Sequence, residues 1–156
     1  KVCSMVSNFK HEMKPDFWFQ FNRRKLMSDA SRDVIETVEK MTMAFHAKDM
    51  AGVLAAYEPN ATVLFEPGVE TKVKSEFEEK FNGFFQISPT FTYGGHQAVV
   101  QGDIAVHFAP WTMTGTAPDG TEIKQTGLSV AVLRKQADGN WLMVIDNPHG
   151  QHLMDE

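Results

Sequence analysis

Between Thr90 and Asp146 the chain has little choice but to build a meander. Strand-like segments near 90–100, 103–115, 121–135 and 140–146 are separated by Gln101-Gly102-Asp103, Ala117-Pro118-Asp119-Gly120 and Ala137-Asp138-Gly139-Asn140. Each separator carries the Gly, Pro, Asp or Asn chemistry of a tight turn. Long strands joined by such turns pair antiparallel, because a parallel pair needs a long crossover.

Upstream of the meander the hydrophobic period changes. Ser31 can cap a helix, and Val34, Val38, Met41 and Phe45 recur at spacings of four, three and four, which is one helical face. Lys48-Asp49 interrupts the pattern. Asp49 is placed to cap a short second helix carrying Val53, Leu54 and Tyr57, ended by Pro59-Asn60. Residues 61–66 read as a strand stopped by Pro67-Gly68. Ser75-Glu76-Phe77-Glu78 has the form of a capping box. Phe77, Phe81, Phe84 and Phe85 then form a buried stripe, and Pro89 closes that helix. Helices first and a long meander after them predict an α+β domain with the helices on one face of the sheet.

Composition narrows the function classes. The 156 residues carry a net charge of −5, which argues against duplex nucleic acid as the main partner. No apolar run reaches the roughly 18 residues of a membrane span. Cys3 is the only cysteine, so no internal disulfide is expected, which fits a reducing, cytoplasmic location. Residues 1–27 read as a basic, aromatic extension with Phe17, Trp18, Phe19 and Phe21 close together. They lack the continuous apolar core of a secretory signal. Either Met27 is the natural start and the preceding residues are foreign to the domain, or they are a native arm that packs on it or on a neighbouring subunit. Residues 28–150 form the expected domain and 151–156 a short tail.

The element order helix, short helix, strand, helix, four strands resembles the NTF2-like superfamily. "AFHAKDMAGVLAAYEPNATVLFEPG" (residues 44–68) is similar to its opening, and "GTAPDGTEIKQTGLSVAVLRKQADGNWLMVIDNPHG" (115–150) to the closing strands of its SnoaL-like, ketosteroid-isomerase-related branch. The resemblance implies a cone-shaped half-barrel, a curved antiparallel sheet wrapped by the N-terminal helices around a pocket. It also implies a homodimer formed through the outer sheet face. It does not choose among the many activities of that fold.

Ketosteroid isomerases of this kind place a carboxylate base before a Pro at the end of the first strand, and Glu66-Pro67 resembles that pair. An ungapped count from Ala61-Thr62-Val63 puts Phe65 at the base position. Glu66 reaches the pocket only if a bulge absorbs one residue, and is otherwise a solvent-facing strand end. The oxyanion-hole donors of those enzymes correspond to Met41 and about Ala131, neither of which can donate. No appreciable Δ5-to-Δ4 steroid isomerisation is therefore expected.

On the long strand, Ala105, His107, Ala109, Trp111 and Met113 share one face, unless a bulge near Pro110 turns Trp111 away. Asp146, read on the face of Leu142 and Val144, could pair with His107 as acid and base. Each also has a plainer reading, His107 as a core histidine and Asp146 as a backbone cap at a strand end. The expected catalytic residues are Asp146, His107 and Glu66. The expected ligand-binding residues are Met41, Phe45, Tyr57 and Trp111. His149 and His152 are read as a mobile tail and not as metal ligands. With no phosphate loop, nucleophile elbow or dinucleotide fingerprint, neither metal nor cofactor is expected. Two functions follow: a cofactor-free acid/base enzyme on a small apolar molecule, or a non-catalytic binding or interaction module on the same fold.

Overall fold

The computed structural model describes residues 28–72 and 74–154. The expectations for residues 1–27, including Cys3 and the aromatic cluster, lie outside the described residues. Helix α1 spans Asp29–His46 and is capped by Ser28, whose hydroxyl accepts from the Ser31 N–H at 3.1 Å. The cap is thus three residues earlier than expected, and Ser31 itself lies buried inside the helix. Asp49 caps α2 (Met50–Leu54) by accepting from the Gly52 N–H. Strand β1 (Tyr57–Glu66) begins earlier than expected and runs through Pro59-Asn60, so Tyr57 belongs to a strand and not to the short helix. β2 (Val69–Thr71) follows the Pro67-Gly68 turn, and α3 covers Lys74–Gln86.

The meander comprises β3 (Thr90–Tyr93), β4 (Gln97–Gln101), β5 (Ile104–Thr116), β6 (Glu122–Lys135) and β7 (Trp141–Asn147). The segment expected as one strand over 90–100 is split at Gly94-Gly95, opposite Pro110, whose carbonyl accepts from the Gly94 N–H. β3 and β4 therefore share the same edge of β5. The sheet is mixed, curved and unclosed, with order β2-β1-β7-β6-β5-β3. One pair, β1 with β7, is parallel, which corrects the expectation of a wholly antiparallel sheet. The whole intervening chain, including α3 and the meander, serves as the crossover such a pair requires.

The core lies between the helices and one sheet face. Val34, Val38 and Phe45 of α1 and Phe77, Phe81 and Phe85 of α3 are buried there, as the sequence spacing predicts. Phe45 stands at the hub of the aromatic packing, with ring centroids 5.9 Å from Phe81, 5.1 Å from Phe85 and 5.6 Å from Phe91. The β5–β6 ladder runs unbroken from Ile104 opposite Arg134 to Thr116 opposite Glu122. Ala105, His107, Ala109, Trp111 and Met113 consequently share one buried face, with no bulge at Pro110.

β7 behaves differently. Leu133 pairs with Met143 but Val132 pairs with Ile145, so Val144 is an extra residue. Such a bulge reverses side-chain parity beyond it. Asp146 therefore leaves the face of Leu142 and Val144 and joins that of Trp141 and Met143, opposite Ala131 on β6 and Val63 on β1. No helix of the described residues is long and apolar enough to cross a membrane.

Candidate functional site

The helices do not fill the whole concave face. Beside the core they leave a cavity of about 110 Å³, comparable with the roughly 150 Å³ apolar cavities that admit a benzene ring. Met41, Phe45, Tyr57 and Trp111, the four expected ligand-binding residues, all line it. So do Ala131 and Phe65, the latter at the strand position given by the ungapped count.

At one end of this aromatic chamber sits Asp146. The Tyr57 hydroxyl donates to its Oδ2 at 2.7 Å. Burial pushes the Asp146 carboxyl up from the usual carboxylate range, opposed by the Tyr57 hydrogen bond and by nearby His149. Tyr57 is pushed well above the usual phenol range, first by burial and then by the Asp146 charge. Both shifts have the same origin, since charge is costly where water is displaced by aromatic rings. Two β-strands fix the pair. β1 lies beside β7, with Tyr57 opposite Met143, and the Val144 bulge turns Asp146 inward.

Tyr93 supplies a second hydroxyl, bonded to Thr42 Oγ1 at 3.2 Å. Thr42 gives its own proton to the Val38 carbonyl, so Tyr93 is the donor. The chain after β7 closes a further part of the wall. Trp111 Nε1 donates to the Pro148 carbonyl at 2.9 Å, His149 Nε2 donates to the Phe65 carbonyl at 3.2 Å, and the Gly150 N–H donates to the Leu128 carbonyl. His149 is thus a cavity residue rather than part of a mobile tail, and residues 148–151 form a strap bound to three strands. A short 3₁₀ turn, His152–Met154, ends the described chain. Among the described residues no group of three His, Cys, Asp or Glu side chains could hold a metal ion.

The other two expected catalytic residues are elsewhere. Glu66 is exposed and pairs with Lys80 on α3 at 2.9 Å, which holds its carboxyl below the usual range through that hydrogen bond and charge. The β1–β2 register does shift between Val63 and Glu66, but Phe65 takes the cavity and Glu66 points to solvent. His107 lies on the correct face and is wholly buried, yet it does not line the cavity. It is one strand removed from Asp146: His107 pairs with Ala131, and Ala131 with Asp146. Two strand spacings put their backbones roughly 10 Å apart. His107 Nε2 instead meets His96 Nδ1 at 3.0 Å, and its pKa is lowered to about 4 by burial and then by His96. Among the described residues His107 Nδ1 has no hydrogen-bond partner. The tautomer that leaves a lone pair there, with Nε2 donating to His96, avoids burying an unpaired N–H.

Residues 38–142 match the model of the SnoaL-like domain family. The chain belongs to that family. The SnoaL-like assignment agrees with solved structures of the same fold. A ketosteroid isomerase candidate from Shewanella frigidimarina shares 23% identity at a TM-score of 0.62, covering 72% of this chain and 90% of its own. The CaMKII hub of S. rosetta shares 21% at 0.66, covering 78% and 97%. A nuclear transport factor 2 (NTF2-like) superfamily protein from Salmonella enterica shares 18% at 0.66, covering 74% and 87%. No curated protein shows significant sequence similarity to the chain. At such identities the likeness concerns the fold.

Proposed function

We propose that this SnoaL-like domain binds a small apolar molecule in the aromatic cavity and performs cofactor-free acid–base chemistry on it. Asp146 is the proton-transfer group and Tyr57 its hydrogen-bonding partner. The observation that carries the reading is the Tyr57–Asp146 pair, 2.7 Å apart in a largely apolar cavity rich in aromatic rings. A carboxyl held among aromatic rings destabilises a fold unless something is gained from it, and shifted carboxyls in cavities are the usual general bases and acids. Burial raises its basicity towards the range where proton transfer at neutral pH is efficient. Glu66 and His107 are not part of this machinery.

The test is proton exchange. The protein is incubated in D₂O with a panel of ring-sized ketones, enols and alcohols, and deuterium uptake at carbon and product formation are followed by NMR. Exchange or turnover by the natural sequence, lost in Asp146→Asn, is the expected result. Binding of panel members with no exchange and no product would leave a binding module in its place.

A second reading, an interaction module, has its own support. Val99, Val106, Val132 and Ile145 lie in register across four strands on the face away from the helices. Val99 is 54% and Ile145 41% exposed. Such an apolar row favours a homodimer through the sheet, and several structural neighbours are CaMKII hub or association domains. Sedimentation at micromolar concentration should show a dimer that Val99→Lys with Ile145→Lys dissociates.

A further inference from the structure

The hydrogen-bonding state of the cavity wall says which kind of head group an occupant needs. The aromatic donors are already committed to protein acceptors. Tyr57 donates to Asp146, Trp111 to the Pro148 carbonyl, His149 Nε2 to the Phe65 carbonyl, and Tyr93 to Thr42. The capacity left over is mostly for accepting. Tyr57 engages Oδ2 of Asp146, a residue of the cavity wall, which leaves Oδ1 able to accept. The oxygens of Tyr57 and Tyr93 keep lone pairs as well. Ser129 and Gln125 can serve either way, and among the described residues no Lys or Arg lines the cavity.

From this imbalance we propose that the cavity selects a ring-sized apolar molecule whose polar head donates a hydrogen bond, a hydroxyl or an amine, to Asp146. The inference rests on the reading that the cavity binds a small molecule, and adds what that molecule must carry. A carbonyl head finds the aromatic donors occupied and brings its own lone pairs against Asp146. A carboxylate meets the like charge of Asp146. A hydroxyl or ammonium completes the carboxylate that Tyr57 satisfies only on one side. An ammonium also gains from the ring faces around it.

Five compounds of nearly one shape test the proposal by calorimetric or NMR titration: 1-phenylethanol, 1-phenylethylamine, acetophenone, benzoate and ethylbenzene. The alcohol, the amine or both should bind roughly 10- to 100-fold tighter than acetophenone, the range for one hydrogen bond to a charged group. Benzoate should bind weakest. Lowering the pH until Asp146 is protonated should weaken the amine far more than the alcohol, which separates the two sources of the donor. In Asp146→Asn the new amide can donate, so acetophenone should gain while the amine loses. Acetophenone or benzoate binding as tightly as the alcohol and the amine overturns the proposal. So does an order of affinities unchanged in Asp146→Asn. Equal binding of all neutral members, ethylbenzene included, overturns it while leaving the small-molecule cavity intact. Failure of every compound, ethylbenzene included, overturns both.

Discussion

On the inner face of the sheet, Ala131 separates two polar pairs that meet opposite conditions. Towards β1 lies Tyr57–Asp146, facing an aromatic cavity; towards β4 lies His96–His107, packed away from it. Burial disfavours charge in both, so it raises the acid and lowers the base. The difference is access. Asp146 lines space that a ligand can share, whereas His107 is wholly buried with one nitrogen bonded to His96 and the other unpartnered. A shifted pKa alone does not separate a reactive group from a structural one; an adjoining cavity does.

The largest expected effect breaks the comparison if it goes the other way. Asp146→Asn should reduce turnover by about 10²–10⁴, the usual worth of a general acid or base. It should leave the domain equally or more stable at pH 7, because it removes a charge that burial disfavours. His107→Gln should do the reverse, lowering stability while turnover per folded molecule is kept. Paired kinetics and thermal unfolding read both quantities, and loss of turnover in a folded His107→Gln protein would restore the imidazole to the mechanism.

The second effect is on stability against pH. The native His107 pKa of about 4 lies below the ordinary value of 6.5, so the unfolded chain binds more protons between them. Stability should be full above pH 6.5 and fall by about 3 kcal/mol as pH drops towards 4, at 1.36 kcal/mol per pKa unit. Asp146 has the opposite sign: its raised native pKa means that stability recovers slightly as pH falls through it. Urea titrations at stepped pH should show the His107 limb, and His107→Gln should flatten it.

The same two pairs mark what the sequence could show. Strand periodicity placed Trp111 and His107 on one buried face because the β5–β6 ladder has no irregularity. For Asp146 the periodicity points to the wrong face, since nothing in Leu142-Met143-Val144-Ile145 marks Val144 as the bulged residue. Tyr57 was legible as a residue of the cavity wall but not as the partner of Asp146. That pairing depends on a parallel β1–β7 contact between strands 75 or more residues apart in the chain. The reading of His149 and His152 as a tail missed the role of Gly150, where a Cβ would lie 2.9 Å from the Leu128 carbonyl oxygen. The same glycine lets the strap approach β6 closely enough to seat His149, a requirement visible only once the strand is in place.

A third, smaller effect sharpens the acid end. The Tyr57 hydrogen bond holds the Asp146 carboxyl below where burial alone would put it. Tyr57→Phe removes that bond and keeps the ring packed against Phe77 and Phe81. The ascending limb of the pH–rate profile, which reports the deprotonated carboxyl acting as base, should therefore move to higher pH. Above that limb the rate should recover most of its value. A profile that keeps its midpoint would mean that Tyr57 does not set the basicity of Asp146.

The smallest effect belongs to a residue outside both pairs. Glu66 stands before Pro67, where a strand-end carboxylate could serve as a base, but its side chain is exposed and held by Lys80 across the surface. Surface pairs of this sort are screened by water and salt and contribute little. Glu66→Gln should therefore leave turnover, its pH profile and unfolding all unchanged within error. Glu66 and Asp146 are both carboxylates at strand ends, and only Asp146 is turned into the cavity, by one extra residue in β7. Should Glu66→Gln abolish turnover while Asp146→Asn does not, the chemistry would lie at the end of β1, and Phe65 would have to yield its place in the cavity during the reaction.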